Sequence, residues 1–448
     1  MSSDRFTVTE HEISGSHIRE YPGTTIDQEA VLKLHIKQYT PKNQPYSVPK
    51  DAITFIVAHG CALPKELYEP MWDELLEQHG FHIRGIWVAD CANMNASGIL
   101  NEDKLSMDAS WMDHPRDLFL MINQFRDQMP RPLVGIGHSF GGNVMFVIHH
   151  VYASTRKYAN EFPSTNLAYM HPRLFTTLLL IEPVIQLTLP AMGFGTDAPG
   201  AINHTLYRDD VWPSREAAVR ANRAFLAGWD PRCLERMIKY GFRDLPTALY
   251  PDVDAVKARF NSDASESSTS TPVTLTTSKY QDLVTQIREN FSARDPTTGR
   301  VSIPRSTHAD LNPLAAFIPM YRPEPTMTFL RLPSLRPSCL WVLGGSTYLK
   351  IDEMMEGIKV CGTGIGGSGG IPENKVKEII IPGLTHLMPF QEVKKTVEPC
   401  SIWLREEMKR YRKAEKDWEE LTAERNHLMV EDAWYKTLKP MPSRWSKI

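Results

Sequence analysis

The chain has 448 residues, of which 42% are hydrophobic and 23% are charged, and its formal net charge is −3. This length allows one catalytic domain with a large insertion, or two domains. The charge gives no electrostatic reason to expect nucleic acid or an anionic membrane as a partner. No apolar run is long enough for a transmembrane segment, and the N-terminus lacks the apolar region of a secretion signal.

The first part of the chain alternates strand and helix patterns. Apolar, mostly β-branched runs predict strands at 53–58, 83–90 and 178–181, and the spacing of apolar residues predicts helices at 68–79 and 116–127. Strands that alternate with helices favour a mostly parallel sheet with right-handed crossovers, so the predicted fold class is α/β.

The alternation stops at about residue 189 and resumes at about residue 333. Between these points lie a helical piece at 214–227 and a Ser/Thr-rich stretch at 262–278, which predicts a mobile surface loop; strands are predicted again at 338–343 and 376–381. An insertion between parallel strands lies over their carboxyl ends, where such sheets bind ligands. The predicted organisation is a core of residues 1–188 and 333–410, a lid of residues 189–332, and a charged helical extension of residues 411–448.

The five residues Gly137-His138-Ser139-Phe140-Gly141 follow the apolar run 132–136 and precede a helical pattern at 143–148. A strand that breaks into G-x-S-x-G and then opens a helix is the nucleophile elbow of the α/β-hydrolases. Glycine fits both ends of so tight a turn because it has no side chain to clash. The turn lifts the hydroxyl above the sheet edge, and Ser139 is the expected nucleophile.

A serine hydroxyl becomes a good nucleophile only when a neighbouring imidazole takes its proton. His386 lies in the loop at 382–388, after the last predicted strand, where this fold places its base. We therefore expect His386 to be the base for Ser139.

Four other histidines lie near predicted elements. His138 is expected to point away from the nucleophile and to have a positioning role, and His149 and His150 are expected to pack late in the elbow helix. His114 is an alternative to His386 as the base only if the chain does not have the α/β-hydrolase fold.

The imidazole also needs a carboxylate that fixes its tautomer. The usual position follows the strand at 338–343, but residues 344–348 there include no carboxylate, and Asp352 is the first one along the chain. Glu182 directly follows the apolar strand 178–181, where an unpaired charge would be costly. Glu182 is the expected acid and Asp352 the alternative.

The tetrahedral intermediate of acyl transfer carries a negative oxygen that needs fixed hydrogen-bond donors. We expect the backbone N–H groups of Phe140, after Ser139, and of Cys61, after the turn His59-Gly60, with Ala62 as an alternative to Cys61. The position of Cys61 on this oxyanion turn argues against its thiol as the nucleophile.

Neither a cofactor nor a metal ion is predicted. Residues 362–367 match G-x-G-x-x-G, but they follow a helical stretch at 354–360 rather than a strand, and no acidic residue follows at the distance that dinucleotide binding requires. A flexible loop near the mouth of the site is expected instead. The cysteines lack metal-type spacing and are expected to be reduced thiols: Cys61, Cys91, Cys233, Cys339, Cys361 and Cys400.

The elbow, the turn His59-Gly60 and the segment Pro382-Gly383-Leu384-Thr385-His386-Leu387 together resemble the α/β-hydrolases over roughly residues 50–410. With its lid length, its Gly-rich loop at 363–370 and its last three residues, the chain resembles the fungal peroxisomal hydrolases of host-selective toxin biosynthesis. These are the hydrolases of the AK-, AF- and ACT-toxin clusters. They are related more distantly to a yeast peroxisomal lipase. The resemblance implies an ester or thioester hydrolase that acts while an epoxy-decatrienoic acid moiety is made.

The last three residues, Ser446-Lys447-Ile448, differ from the Ser-Lys-Leu import signal only in the final aliphatic residue. They predict localisation in the peroxisome, with its import receptor as a partner. The other expected partner is a small-molecule acyl ester or CoA thioester.

These observations support the hypothesis of a metal-independent serine hydrolase. Aromatic residues in the lid favour a medium-chain, apolar acyl group: Phe225, Trp229, Tyr240, Phe242, Phe317 and Tyr321. Acyl transfer to an alcohol and a non-catalytic binding protein with the same fold are the alternatives. An epoxide hydrolase is disfavoured because that chemistry needs a carboxylate nucleophile where Ser139 stands.

Overall fold

A computed structural model describes residues 2–145, 171–188, 200–260, 270–291, 295, 297–298, 302–312, 319–425 and 427–440. The strands are β1 (Phe6–Ser14), β2 (Lys33–Pro41), β3 (Ile53–Ala58), β4 (Ile83–Ala89), β5 (Leu133–His138), β6 (Thr177–Ile181), β7 (Val211–Trp212), β8 (Phe242–Asp244), β9 (Val273–Leu275), β10 (Arg288–Glu289), β11 (Met320–Tyr321), β12 (Ser338–Gly344) and β13 (Val376–Ile381). The helices are α1 (Ser2–Arg5), α2 (Glu69–Leu76), α3 (Asn95–Leu100), α4 (Asp113–Gln124), α5 (Phe140–Met145), α6 (Ala201–Tyr207), α7 (Arg215–Ala221), α8 (Pro231–Tyr240), α9 (Val253–Phe260), α10 (Lys279–Gln286), α11 (Glu324–Phe329), α12 (Ile351–Val360), α13 (Met388–Gln391), α14 (Val393–Thr422) and α15 (Asp432–Thr437).

Eight strands form one sheet in the order β1-β2-β4-β3-β5-β6-β12-β13. Neighbouring strands from β4 to β13 run parallel, whereas β2 pairs antiparallel with both β1 and β4. Strands β3, β5, β6 and β12 are buried along their whole length, as is typical of parallel strands covered on both faces. The predicted α/β class with a mostly parallel sheet is confirmed.

Apolar side chains pack on both faces of this sheet. One cluster includes Trp87 and Trp341 and joins the sheet to α4, α5 and α12, and the other includes Trp72 and joins the sheet to α2 and α14. Among the residues that the structure describes, no helix combines the length and the apolarity needed to traverse a bilayer.

Several element boundaries differ from the predicted ones. Strands β1 and β2 have no counterpart among the predictions. Both contain many polar residues, and β1 lies at the edge of the sheet. Helix α2 is shorter than the predicted helix 68–79, and α4 begins three residues before the predicted residue 116. Helix α14 is buried over its first half and continues past residue 411, so the predicted boundary of the charged extension falls inside one helix.

The segment between β6 and β12 includes a three-stranded sheet of order β7-β9-β8 and the pair β10-β11. The prediction of a surface loop at 262–278 is wrong for its second half, because β9 is buried there; residues 262–269 lie outside the described residues. Helix α7 covers only part of the predicted helix 214–227.

Polar side chains fasten α10 of this segment to the core. The amide Nδ2 of Asn93 donates to Oγ1 of Thr285 at 2.9 Å, and the backbone N–H of Asn95 donates to Oγ1 of Thr277 at 2.8 Å. The indole N–H of Trp111 donates to the carbonyl of Thr285 at 2.6 Å. These contacts hold the inserted segment beside the carboxyl end of β4.

The glycine-rich loop at 362–367 lies far from the position predicted for it. It connects α12 to the beginning of β13, and its backbone bonds the segment before β12, as in the 2.8 Å bond from Gly362 N–H to the Leu332 carbonyl. The loop therefore lies at the amino ends of the strands, whereas Ser139 follows the carboxyl end of β5. The expectation that it borders the mouth of the site was wrong.

A buried carboxyl group at the start of α4 links the helix to the N-terminal region. Asp113 is 6% exposed, and its Oδ1 accepts the backbone N–H of Glu20 at 2.9 Å. Its Oδ2 has no hydrogen-bond partner in the described part of the chain. Burial raises the pKa of Asp113 from 3.8 to about 7, so the folded state favours the protonated carboxyl.

We expect the contribution of Asp113 to the free energy of unfolding to fall as the pH rises from about 4 to about 7, because the folded state binds the Asp113 proton more tightly than the unfolded chain does. Asp113→Asn keeps an acceptor for Glu20 and removes the charge, so its stability relative to the wild type increases by a few kcal/mol between pH 4 and pH 8. Urea unfolding at several pH values measures both curves. Parallel curves for the variant and the wild type would contradict the prediction.

Candidate active site

The elbow, residues 137–141, turns the chain sharply between β5 and α5. Ser139 has a φ of 58°, and its carbonyl accepts the backbone N–H groups of Gly142 at 3.0 Å and Val184 at 3.1 Å. A Cβ atom at Gly137 would lie 2.3 Å from the carbonyl oxygen of Gly141, and one at Gly141 would lie 2.1 Å from that of Ala58. Both positions therefore require glycine.

The elbow and the loop after β13 bring the predicted nucleophile and base together. The Oγ of Ser139 lies 2.8 Å from Nε2 of His386, although 247 positions separate the two residues in the chain. Both residues are 8% exposed. A hydroxyl at this distance can transfer its proton to the imidazole.

The carboxyl group of Glu182 completes this row of side chains. Its Oε2 lies 3.0 Å from Nδ1 of His386, and the residue is fully buried. Its two oxygens also accept the backbone N–H of Gly344 and the hydroxyl of Thr347. Asp352, the alternative acid, is exposed on α12 and has no contact with His386 in the described structure.

The oxyanion turn, residues 59–62, is held from several sides. The Nδ1–H of the buried His59 donates to the carbonyl of Gly60 at 2.8 Å, and the backbone N–H of Cys91 donates to the His59 Nε2 at 3.0 Å. The carbonyl of Gly60 and the amide of Cys61 belong to one planar peptide group, so His59 also fixes the direction of the Cys61 N–H. The N–H of Ala62 points to the sulfur of Met94 at 3.2 Å and is already occupied.

The thiol of Cys61 contacts the inserted segment between β6 and β12. Its Sγ lies 3.3 Å from Oδ1 of Asp282 on α10, and Asp282 also pairs with Arg208 at 2.9 Å. Burial and the nearby Asp282 carboxylate raise the pKa of Cys61 well above its ordinary value. The thiol is therefore protonated at neutral pH and unsuited to nucleophilic attack.

The other candidate histidines are placed differently. The His114 ring is fully buried beside the rings of Phe140 and His59, and neither of its nitrogens has a partner within the described residues. The His138 imidazole bonds the Tyr68 hydroxyl at 2.8 Å and the backbone carbonyl of His386 at 2.9 Å. His149 and His150 lie outside the described residues.

The described lid aromatics make contacts that account for them without an acyl ligand. These contacts are Trp229 on Phe390 and Phe225, Phe242 on Trp212, Tyr240 under Lys37, and Tyr321 on Arg288 and Asp310. Phe317 lies outside the described residues. The lid aromatics therefore carry no information on the length of the acyl chain.

Four side chains near the site were not among the predicted residues: Tyr68, Asp282, Thr347 and Tyr348. Thr347 and Tyr348 lie in the segment after β12, where the fold commonly carries its acid, and the centre of the Tyr348 ring lies 4.7 Å from that of His386. Thr347 could have been predicted as a donor to the acid, because it carries a hydroxyl in that segment. No motif marks Tyr68 or Asp282.

In the described ranges, no group of three or more His, Cys, Asp or Glu side chains could hold a metal ion.

No family model matches the chain, but individual relatives do. The type I acyl-CoA thioesterase mpaH of Penicillium roqueforti is 66% identical over 444 residues, which are 99% of this chain and 98% of that protein. The abhydrolase domain-containing protein AKT2 of Alternaria alternata is 24% identical over 277 residues, which are 62% of this chain and 84% of that protein.

Solved structures give the same fold. The peroxisomal α/β-hydrolase Lpx1 of Saccharomyces cerevisiae superimposes with a TM-score of 0.61 and 16% identity, over 96% of this chain and 100% of that one. This similarity shows the α/β-hydrolase fold. The predicted resemblance to fungal α/β-hydrolases is confirmed, and the Penicillium relative matches far more of the chain than the Alternaria protein does.

We expect Gly141→Ala to unfold or strongly destabilise the protein, by at least about 3 kcal/mol, because its Cβ would overlap the carbonyl oxygen of Ala58. Gly85→Ala is the matched control, since a Cβ there meets its nearest atoms at 3.6 Å, an ordinary contact. Urea unfolding and labelling by a fluorophosphonate probe measure the effect. Equal stability of the two variants would contradict the close approach of the elbow to β3.

Proposed function

Because the chain belongs to the family of the mpaH type I acyl-CoA thioesterases, we propose that it hydrolyses the thioester bond of an acyl-CoA, with Ser139 as the nucleophile. The chain is a hydrolase of the esterase and thioesterase type. The observation that supports the proposed nucleophile most directly is the 2.8 Å contact between Ser139 Oγ and His386 Nε2.

In the first half of the proposed reaction, Ser139 Oγ attacks the acyl carbonyl carbon and its proton passes to His386 Nε2. The Glu182 carboxylate accepts the Nδ1–H of the imidazolium and stabilises its charge. The negative oxygen of the tetrahedral intermediate accepts the N–H groups of Cys61 and Phe140. Neither amide has a hydrogen-bond partner within the described residues, so both are available.

The tetrahedral intermediate then breaks its carbon–sulfur bond. The CoA sulfur leaves with the proton from His386, and the acyl group remains on Ser139 as an ester. A thiol of ordinary pKa near 8.5 is a good leaving group, so this step needs little assistance. Water attacks the acyl-enzyme while His386 takes its proton, and collapse of the second intermediate releases the carboxylic acid and returns a proton to Ser139.

The relatives also guide the choice of substrate. The Alternaria protein, on which the toxin assignment depends, matches 62% of the chain at 24% identity, whereas the mpaH protein matches 99% at 66%. We therefore propose an acyl-CoA of secondary metabolism as the substrate class, in preference to the epoxy-decatrienoic toxin precursor.

We expect Ser139→Ala and His386→Gln to lower kcat for acyl-CoA hydrolysis by about 10⁴-fold or more, and Glu182→Gln by about 10³- to 10⁴-fold. Release of the CoA thiol, followed with a thiol-reactive dye over a series of acyl chain lengths, measures the rates. Asp352→Asn is the matched control for the acid, and His17→Gln, at an exposed histidine, is the control for the base. Both controls are expected to stay within about twofold of the wild type.

Two results would contradict the proposal. Undiminished CoA release by Ser139→Ala would remove the serine mechanism, and a larger loss in Asp352→Asn than in Glu182→Gln would reassign the acid. An added alcohol tests acyl transfer: formation of its ester in place of the free acid would favour a transferase.

We also propose that Ser446-Lys447-Ile448 directs the protein to peroxisomes, on the basis of its likeness to Ser-Lys-Leu. These residues lie outside the described part of the chain. A fluorescent protein fused to the N-terminus is expected to colocalise with a peroxisomal marker, and deletion of the three residues is expected to disperse it. Ile448→Leu is the control that retains the signal. Peroxisomal fluorescence that survives the deletion would contradict this assignment.

A further inference from the structure

A buried phenol lies behind the oxyanion turn and bonds two separate parts of the site. Tyr68, at the end of the 3-10 turn Lys65–Tyr68, is 1% exposed. Its oxygen accepts the backbone N–H of Gly60 at 2.8 Å and lies 2.8 Å from Nδ1 of His138 in the elbow. The Tyr68 hydroxyl therefore joins the oxyanion turn to the elbow.

The imidazole of His138 extends this connection to the base. Its Nε2 lies 2.9 Å from the backbone carbonyl of His386, and its side chain is buried. The ring of Phe390 packs edge-on against both Tyr68, at 5.1 Å, and His138, at 5.5 Å, and closes the space around them. Three hydrogen bonds thus run from Gly60 to His386.

The protons of these three hydrogen bonds can be arranged in only one way. A backbone N–H can only donate and a carbonyl can only accept, so Gly60 donates to Tyr68 and the Nε2–H of His138 donates to His386. Burial lowers the pKa of His138 to about 3, with a further contribution from His386, so its ring is neutral and Nδ1 must accept the Tyr68 hydroxyl. Burial also raises the pKa of Tyr68, which keeps its proton.

We infer that Tyr68 and His138 are positioning residues that hold the oxyanion turn and the backbone of the catalytic base in fixed register with the nucleophile. This inference rests on the proposed function of Ser139, His386 and Cys61. Gly60 immediately precedes the Cys61 amide, so the bond at Gly60 N–H and the bond from His59 to its carbonyl fix both sides of the residue. Neither Tyr68 nor His138 touches the reacting atoms.

The test is Tyr68→Phe, which keeps the ring and removes one oxygen. We expect kcat per active site, counted by fluorophosphonate titration, to fall about 10- to 100-fold because small displacements of catalytic groups are costly. KM is expected to stay within about twofold. The pH midpoint of kcat/KM is expected to be unchanged, because neither Tyr68 nor His138 changes its protonation state. The rate of fluorophosphonate labelling is expected to fall by the same factor as kcat.

Tyr321→Phe is the matched control. Its buried phenol also accepts one hydrogen bond, from Arg288 at 2.6 Å, and donates one, to Asp310 at 2.8 Å, but none of these groups contacts the site. It is expected to lose stability and to keep wild-type kcat per titrated site. Wild-type kcat in Tyr68→Phe, or an equal loss in both variants, would overturn the inference.

A second variant covers the case in which Tyr68→Phe does not fold. His138→Gln retains an amide donor toward the His386 carbonyl and is expected to lose less activity than His138→Leu. The double variant Tyr68→Phe/His138→Gln is expected to lose about as much kcat as the more impaired single variant, because both substitutions interrupt the same row of hydrogen bonds. Additive losses of kcat in the double variant would overturn the inference. Failure of the wild type to release CoA while the probe still labels Ser139 would contradict the thioesterase proposal alone, because labelling tests the positioning independently.

Discussion

The elbow backbone packs directly on the end of β3, and the arrangement of the site depends on this contact. A Cβ at Gly141 would lie 2.1 Å from the Ala58 carbonyl oxygen, so only bare backbone fits between the two segments. The contact brings the turn that bears Ser139 next to the turn that bears Cys61. Backbone has no rotamers to choose between, so packing of this kind fixes the distance between nucleophile and oxyanion donors within the narrow limits that catalysis requires.

Strand order determines how Glu182, the proposed acid, reaches His386, the proposed base. Strand β6 lies between β5 and β12, so a residue at its carboxyl end is flanked by the elbow on one side and by the loop after β12 on the other. Glu182 has a φ of 49° at this point and contacts His386, while Gly344 and Thr347 supply donors from the loop after β12. The loop that holds the acid in the commonest arrangement of the fold here supports a carboxylate from the neighbouring strand. Its donors also prevent the buried carboxylate from being left without partners, which would cost several kcal/mol.

The sheet class and the proximity of Ser139 to His386 could be predicted from the sequence. The strands and the elbow depend on local patterns, and His386 was chosen because it follows the last predicted strand. Residues 53–58 are apolar and mostly suited to a strand. The elbow requires glycine at fixed positions because its backbone packs closely. Asp352 stayed as an alternative to Glu182 because the position of the acid depends on which strands are neighbours in space, and β12 joins β6 only after a long inserted segment. Strand β1 was missed because its edge position lets it carry polar residues. The position of the glycine-rich loop was mispredicted because its sequence does not show at which end of the sheet it lies.

The positions of Tyr68 and His138 point to a wider electrostatic constraint on the site. Burial lowers the pKa values of His59 and His138 and raises those of Tyr68 and Cys61, so all four groups are uncharged at neutral pH. Each bonds a backbone group or a lid side chain instead. In a low-dielectric interior, a charge on any of them would act strongly on the imidazolium of His386 or on the oxyanion. In the proposed mechanism, the positive charge on His386 then has Glu182 as its bonded carboxylate, and the negative oxygen meets amide dipoles that do not titrate. The same burial that fixes the geometry therefore also limits the charges that the transition state encounters nearby.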